Sequence, residues 1–463
     1  MTIRKNILTI ILAAGKGTRM RSAVPKVLHS LGGLPMLGHV LNAVEKIKSK
    51  QTVLVLSAET PAVEQYAKGH SLSPEIAYQH QQSGTGNAVL CTEPYLQNFT
   101  GPVLVLFGDT PLIRPETLER AIETFTSFLS SSPVAAMIVG MIPSDAKNYG
   151  RLILGETEDV IDIVEAKNAS PEILTIPLCN SGMMILDGRH ALSLLRAIER
   201  NPLGNEYYLT DVVRIARRQG HRIGLYRAEN AVELEGINSR SELAWAEAQL
   251  QHRWRTAAMA QGVTLMDPES VYFSYDTQLS ADVTVYPHVF FGPCVKIESG
   301  VDIMPFTHLE GTHIRTGSKI GPYARLRPGT IIGEDARVGN FVELKNTTFA
   351  SRAKASHLSY VGDAEVGEGT NIGAGTITCN YDGYDKWRTR IGRDVLIGAN
   401  SSLVAPLTIG DHAVIGAGTT VTKNVAEEAL TIGRSKQVDI AHGGKFFHER
   451  KKARLSVKKK ETS

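Results

Sequence analysis

Between Val285 and Val421 an apolar residue recurs at every sixth position. The series runs Val285, Phe291, Ile297, Ile303, Leu309, takes one five-residue step to Ile314, and resumes at Ile320, Leu326, Ile332, Val338 and Leu344. It returns at Val366 and Ile372, and again at Ile391, Ile397, Leu403, Ile409, Ile415 and Val421. Glycine follows many of these positions directly, as in Ile320-Gly321, Ile332-Gly333 and Ile415-Gly416. A period of six fits neither the helical 3.6 nor the strand period of two. It predicts hexapeptide repeats wound into a parallel β-helix, one apolar side chain per face stacking on its equivalents in neighbouring coils.

Before this ladder the pattern differs. Continuous apolar runs at Ile7–Ala14, Val53–Leu56 and Val103–Phe107 alternate with helical segments, the pattern of buried parallel strands in an α/β sheet. Ser239-Arg240-Ser241-Glu242 forms a capping box for a helix expected to reach Gly262, with Leu243, Ala246, Leu250, Trp254 and Ala257 on one face. Trp254 is expected to pack against a neighbouring domain. Asp267-Pro268 starts the solenoid. The expected domains are residues 1–238, a linking helix over 239–262, and residues 263–463.

Composition adds bounds. The chain has 463 residues, 42% apolar and 21% charged, which describes a globular protein too long for one core. A net charge of +3 makes no case for nucleic acid as a partner. Cys91, Cys179, Cys294 and Cys379 lie far apart without a CxxC pair, which argues against a disulfide framework or zinc site and suits the cytoplasm. Arg4 and Lys5 precede an apolar run as in a signal peptide, but the run ends at once in a glycine turn and reads as a first strand. No apolar stretch approaches the ~20 residues of a transmembrane helix. Residues His448 to Ser463 carry seven Lys and Arg and are expected to be a solvated, disordered tail without assigned function.

Candidate chemistry begins where the first strand ends, at Leu12-Ala13-Ala14-Gly15-Lys16-Gly17-Thr18-Arg19-Met20. A strand entering a glycine turn frees backbone N–H groups to hold phosphates, though the GK[ST] ending of a Walker loop is absent. Pro25-Lys26-Val27-Leu28 adds a second cation. Phe107-Gly108-Asp109-Thr110 sets a carboxylate just past the end of a central strand, where open α/β sheets place ligand chemistry. Asp109 is therefore a candidate Mg²⁺ ligand, with a helix cap as the structural alternative. In the ladder the informative places are its breaks. One spans Lys345 to Ala364 and holds Lys345, His357 and Tyr360; the other spans Asn380 to Trp387. Polar and aromatic residues there point to binding. Imidazole has the pKa of a general base, so His357 is a candidate catalytic residue, with a surface or packing histidine as the structural alternative.

These motifs resemble one family. LAAGKGTRM, PKVLH, Gln79 with Ser83-Gly84-Thr85-Gly86, FGDTPL, Tyr149-Gly150-Arg151, Val164-Glu165-Ala166-Lys167, Asn180-Ser181-Gly182, NEYYLTD and Glu235-Gly236-Ile237-Asn238 carry the likeness, as does Ser356-His357-Leu358-Ser359-Tyr360-Val361-Gly362-Asp363. They are similar, in order, to those of bacterial bifunctional N-acetylglucosamine-1-phosphate uridylyltransferase / glucosamine-1-phosphate N-acetyltransferases, over about residues 7 to 435. The resemblance implies a Rossmann-like nucleotidyltransferase domain, a linking helix and a left-handed parallel β-helix, in a homotrimer whose acetyl site forms between neighbouring subunits.

It also implies roles. Leu12, Ala13, Ala14, Gly15 and Gln79 would hold the uridine end of UTP, with Gly84 and Thr85 beside the base. Arg19 and Lys26 would bind its phosphates, with Phe107 and Gly108 in the same nucleotide site. Asp109 and Asn238 would coordinate Mg²⁺. Gly150, Glu165, Lys167, Asn180 and Asn238 would surround the sugar phosphate. In the acetyl site Arg327, Lys345, Tyr360 and Asn371 would hold glucosamine-1-phosphate, and Asn380 would orient the amine or thioester. Ala374, Tyr381, Lys386, Ala399, Ala417 and Arg434 would line the acetyl-CoA site. Phe107 stands where relatives often carry Tyr, and Ala399 where serine is common, so side-chain hydroxyl contacts are lost there.

Two other readings compete. One keeps the nucleotidyltransferase and makes the solenoid a scaffold, against which His357, Asn380-Tyr381 and Lys386 speak. The other is a non-catalytic regulatory subunit, against which Arg19, Lys26, Asp109 and Asn238 speak.

Overall fold

The computed structural model describes residues 5–146, 148–201 and 205–461, including side chains except those of Lys5 and 456–461. Arg4, Thr462 and Ser463 lie outside the described residues. The chain divides into two compact units, one of Met1–Ala257 with Phe273–Tyr275, the other of Ala258–Tyr272 with Asp276–Ser463.

The first unit is built on a nine-stranded sheet. The run read as a first strand forms Lys5–Leu12, at the centre, paired in parallel with Ser49–Leu56 on one side and Pro102–Phe107 on the other. By first residue the order is Ile223, Ala136, Cys179, Pro102, Lys5, Ser49, Glu75, and Cys179–Asp187 runs antiparallel to both neighbours. The apolar runs are continuous because both faces are covered. Ile7 and Ile11 enter one buried layer with Leu54, Leu56, Leu104 and Leu106; Leu8, Ile10 and Leu12 enter the other with Val53, Val55, Val103 and Val105. Each such fully buried side chain contributes about 1.5–3 kcal/mol. Thr9, on the same strand, is buried with its hydroxyl 2.7 Å from that of Ser49.

The capping box forms as expected. Glu242 accepts from the Ser239 N–H at 3.0 Å, and the Ser239 hydroxyl accepts from the Glu242 N–H at 3.2 Å. The helix runs Arg240–Ala260, short of Gly262, which takes φ +90° as the chain turns out. Leu243, Ala246, Leu250 and Trp254 pack with Leu31, Met36, Leu112 and Ile237, whereas Ala257 is exposed.

In the second unit each coil contributes one short strand to each of three parallel sheets of ten, eight and eight strands. The ten-stranded sheet stacks Val285, Ile303, Ile320, Val338, Ala355, Ile372, Ile397 and Ile415 in register. This is the parallel β-helix expected of the repeat, in the left-handed form that the family resemblance implies. One expectation needs correction: the ladder does not break over Lys345 to Ala364. Strands Thr348–Phe349, Lys354–His357 and Tyr360–Gly362 continue it, with Phe349, Ala355 and Val361 turned inward and buried. The pattern hid them because two steps, Leu344 to Phe349 and Val361 to Val366, are five residues long and the middle rung is alanine. Only the second interruption leaves the coil. Thr378 takes the inward position there, its hydroxyl accepting from the Gly362 N–H at 2.8 Å.

The basic tail is also corrected. Gly443–Glu461 is a helix rather than a disordered end, and its described side chains are largely exposed. Its Lys, Arg, Ala and Glu are good helix formers, and Lys445 lies 3.9 Å from Glu449 one turn on. Among the described residues no helix is long and apolar enough to cross a membrane.

Candidate active sites

The parallel strands end together at Leu12, Leu56, Tyr78 and Phe107, and the first candidate site opens there. Backbone bonds from Ala13 N–H to Val55 O and from Gly108 N–H to Leu12 O, each 2.9 Å, fix the start of the glycine turn. Gly17 takes φ +61°, and a Cβ there would lie 2.5 Å from Cβ of Lys26. Only glycine lets the turn pass so close to the second cation. Gln79 donates to Gly84 O at 2.9 Å and to Asn87 Oδ1 at 3.0 Å. Gly84 takes φ +103° and packs on the backbone of Tyr207, with room for no side chain.

A cavity of about 600 Å³ results. Leu12, Ala13, Ala14, Gly15, Lys26, Gln79, Gly84, Thr85, Phe107, Asp109, Glu165 and Lys167, all sequence candidates, line it. Arg19 does not; it is exposed on the short turn Thr18–Met20. Gly150 and Asn180 meet through a 2.8 Å bond from Asn180 N–H to Gly150 O, and a Cβ on Gly150 would lie 3.7 Å from Glu165. Burial pushes the Glu165 carboxyl up, against the pull of Lys167. Gly182, at φ +87°, packs on the Phe107 ring, so the Phe107 face is held even without a hydroxyl.

Sequence reasoning missed Gln82, Glu206 and Tyr208, which line the same cavity. Gln82 donates to Ala14 O at 2.6 Å, and the Lys167 ammonium donates to the Tyr208 hydroxyl at 2.9 Å. Tyr208 lies inside the NEYYLTD motif, which was its only signal. Tyr149, next to Gly150, does not line the cavity. Its phenol is pushed up to about 12 by burial and by Glu235.

The metal question turns on Lys26. Its ammonium pairs with Asp109 and donates to Asn238 Oδ1 at 3.0 Å, so a carboxylate and an amide oxygen from distant parts of the chain converge on one cation. The Asn238 Nδ2 donates to Gly236 O at 3.3 Å, which turns Oδ1 toward that point. Two hard oxygens with room for phosphate suit Mg²⁺, which is held by few protein ligands. The residues fit the ion.

The second candidate site follows a corner of the β-helix. Asn340 and His357 are partners on adjacent strands, and His357 Nδ1 lies 2.6 Å from Asn340 Oδ1. The following residues stack through N–H to O bonds: Leu358 to Asn340, Gly375 to Leu358, Asn400 to Ala374, Gly418 to Ala399. Asn340, His357, Ala374, Ala399 and Ala417 therefore occupy one column, coil upon coil. Arg434 ends it by donating to Ala417 O. Ala374, Ala399 and Ala417 are exposed or half-exposed, so only small side chains stand on the column between His357 and the Arg434 guanidinium.

The other candidates form further groups on the coils. The Asp363 carboxylate, buried, accepts from Asn346 Nδ2 at 2.7 Å and from Asn380 Nδ2. Burial opposes its ionisation, but those two bonds and the Lys345 and Lys386 ammoniums outweigh it and hold the carboxyl below its usual range. Lys345 is lowered chiefly by its contact with Lys386, and next by burial. Arg327 donates to Glu343 at 2.9 Å, and Tyr360 pairs with Glu343 across the strands. Tyr381 and Lys386 close a small exposed hairpin whose turn is held by Asp382, which accepts from Tyr384 N, Asp385 N and Trp387 Nε1. Asn371 sits on the neighbouring strand Asn371–Ile372, half-buried. Asn340 and Asp363 were missed as site residues; only the coil register reveals what they support.

Comparison with known proteins agrees with both architectures. Residues 9–141 match the MobA-like NTP transferase domain, and residues 311–346 and 388–423 match the bacterial transferase hexapeptide family of six repeats. The chain is 44% identical to "Bifunctional protein GlmU" of Zymomonas mobilis, over 98% of this chain and 100% of that one. It is 46% identical to the protein of the same name from Paramagnetospirillum magneticum, over 97% of each, and 43% identical to that of Agrobacterium fabrum, over 99% and 100%.

Proposed function

The chain belongs to the family of bifunctional GlmU proteins, and from that premise we propose how its residues divide two reactions. It is an enzyme that makes UDP-N-acetylglucosamine by acetyl transfer and uridylyl transfer. The sites and their assignments below are our reading.

In the first unit the phosphate oxygen of N-acetylglucosamine-1-phosphate attacks the α-phosphorus of UTP. A P–O bond forms, the α–β bridge breaks, and pyrophosphate leaves. Such a displacement needs positioning and charge neutralisation rather than a nucleophilic side chain. Lys26, with Arg19 from the rim, supplies positive charge to the phosphates. Gln79, Gly84 and Thr85 hold the base, and Gly150, Glu165, Lys167 and Asn180 hold the sugar. Mg²⁺ held by Asp109 and Asn238 would neutralise phosphate charge when bound.

In the second unit the glucosamine-1-phosphate amine attacks the acetyl-CoA thioester, a C–N bond forms, and the C–S bond breaks. His357 takes the amine proton. Its Nδ1 donates to Asn340, which leaves the Nε2 lone pair as the base. Arg327, Lys345 and Tyr360 bind the sugar phosphate with Asn371. Asn380, oriented by Asp363, faces the reacting groups. CoA follows the alanine column toward Arg434, with Tyr381 and Lys386 over it. The column that joins His357 to Ala374, Ala399, Ala417 and Arg434 is the observation that carries this assignment.

The protein acts as a homotrimer in the cytoplasm on this reading. An exposed stack of rings, Phe306, Tyr323 and Phe341, with centroids 4.8 and 5.1 Å apart, runs beside the His357 column and supports association of copies there. Four free thiols support a reducing compartment. The test is to assay both reactions on the wild type, His357→Ala and Asp109→Asn. His357→Ala should lose only CoA release, and Asp109→Asn only pyrophosphate release; loss of both in either folded variant overturns the division.

A further inference from the structure

The two sites leave the basic helix Gly443–Glu461 without a role. The positive charge of the whole protein resides there. Residues 443–463 contain eight of the fifty Lys and Arg but two of the forty-seven Asp and Glu, so this segment carries +6 and the rest of the chain −3. Apolar side chains accompany the charge. Phe446, Phe447 and Leu455 are about 60% exposed, and Val438 and Ile440 just before the helix are more exposed still. Lys451 lies over the Phe447 ring, its ammonium 5.7 Å from the centroid. Nothing in either reaction calls for these groups, and large exposed apolar residues among like charges normally mark a binding surface.

We propose that Val438 to Glu461 is an adsorption site for an anionic lipid surface, on which the enzyme rests without spanning. Lys445, Arg450, Lys451, Lys452 and Arg454 would meet lipid phosphates, and the adjacent Phe446 and Phe447, with Val438 and Ile440 before the helix, would enter the boundary with the acyl chains. Aliphatic side chains are the reason to choose lipid over nucleic acid. Valine and isoleucine offer a base neither stacking nor hydrogen bonds, whereas hydrocarbon accepts them.

The experiment is cosedimentation of the full chain with vesicles of phosphatidylcholine, and of phosphatidylcholine mixed equally with phosphatidylglycerol. Binding to the anionic vesicles should exceed that to the neutral ones by at least about ten-fold and fall with added salt. A chain ending at His442 should lose it while keeping both enzymatic activities. Phe446→Ser with Phe447→Ser, which leaves the charge unchanged, should weaken it several-fold. Equal binding to both vesicles, or undiminished binding by either variant, overturns the proposal. So does tighter binding to poly(U) than to anionic vesicles, which would assign the helix to nucleic acid.

Discussion

His357 Nδ1 and Asn340 Oδ1 lie 2.6 Å apart on neighbouring rungs of one column, so the imidazole proton is held on the side facing Asn340. On the proposed mechanism Asn340 is a positioning residue. Asn340→Ala should lower kcat for acetyl transfer by roughly 10- to 100-fold, a share of what a positioned base supplies. KM for both substrates and the uridylyl rate should stay near wild type. Asn340→Asp, which keeps the acceptor oxygen, should recover part of the loss. A rise in KM with unchanged kcat would show that Asn340 binds substrate instead.

Lys26 bridges Asp109 and Asn238, and Gly17 gives it room. Lys26→Met should reduce uridylyl transfer by about 10²-fold or more, the scale of one lost charge-stabilising donor. Acetyl transfer in the same preparation should not change. A pyrophosphate-release assay with UTP at saturation reads this directly, and full activity would remove Lys26 from the site.

Gly32 sits under Trp254. Its φ is +55°, and a Cβ there would lie 2.2 Å from Cη2 of the indole. Gly32→Ala should destabilise the protein by about 1–3 kcal/mol through overpacking and backbone strain. Combined with Trp254→Ala, the two losses should add to less than their sum, since the second removes the clash. Urea denaturation of the three variants gives the coupling, and strict additivity would deny the contact.

Asp363 accepts from two amides and faces two ammoniums, and its folded carboxyl titrates below its unfolded value. The stability it contributes is therefore full above the unfolded carboxylate range near pH 4 and is lost as pH falls through the lower folded value. Asp363→Asn sets an NH₂ group against the donors of Asn346 or Asn380. It should cost stability at pH 7 and much less near pH 3, and it should slow acetyl transfer by misorienting Asn380. An equal cost at both pH values would show that the charge contributes nothing.

The six-residue period, the continuous apolar runs and the capping box at Ser239 are local patterns, and each was legible because one kind of residue repeats at a spacing that backbone geometry sets. The glycine turn at Gly15 and Gly17, Asp109 and His357 could be singled out for a related reason: residue type carries the chemistry proposed for them. Phe349, Ala355 and Val361 escaped, because coils that shorten a side by one residue keep their inward stack while losing the spacing. The partnerships were out of reach too. Asn340 supports His357, Asp363 orients Asn380, and Lys26 joins Asp109 to Asn238, across 17, 17 and up to 212 residues of chain. Sequence alone determined that there would be a sheet with a glycine turn and a coil with a histidine. Tertiary structure decided which side chains those groups meet, because hydrogen bonds between distant residues depend on register and packing, which no local pattern encodes.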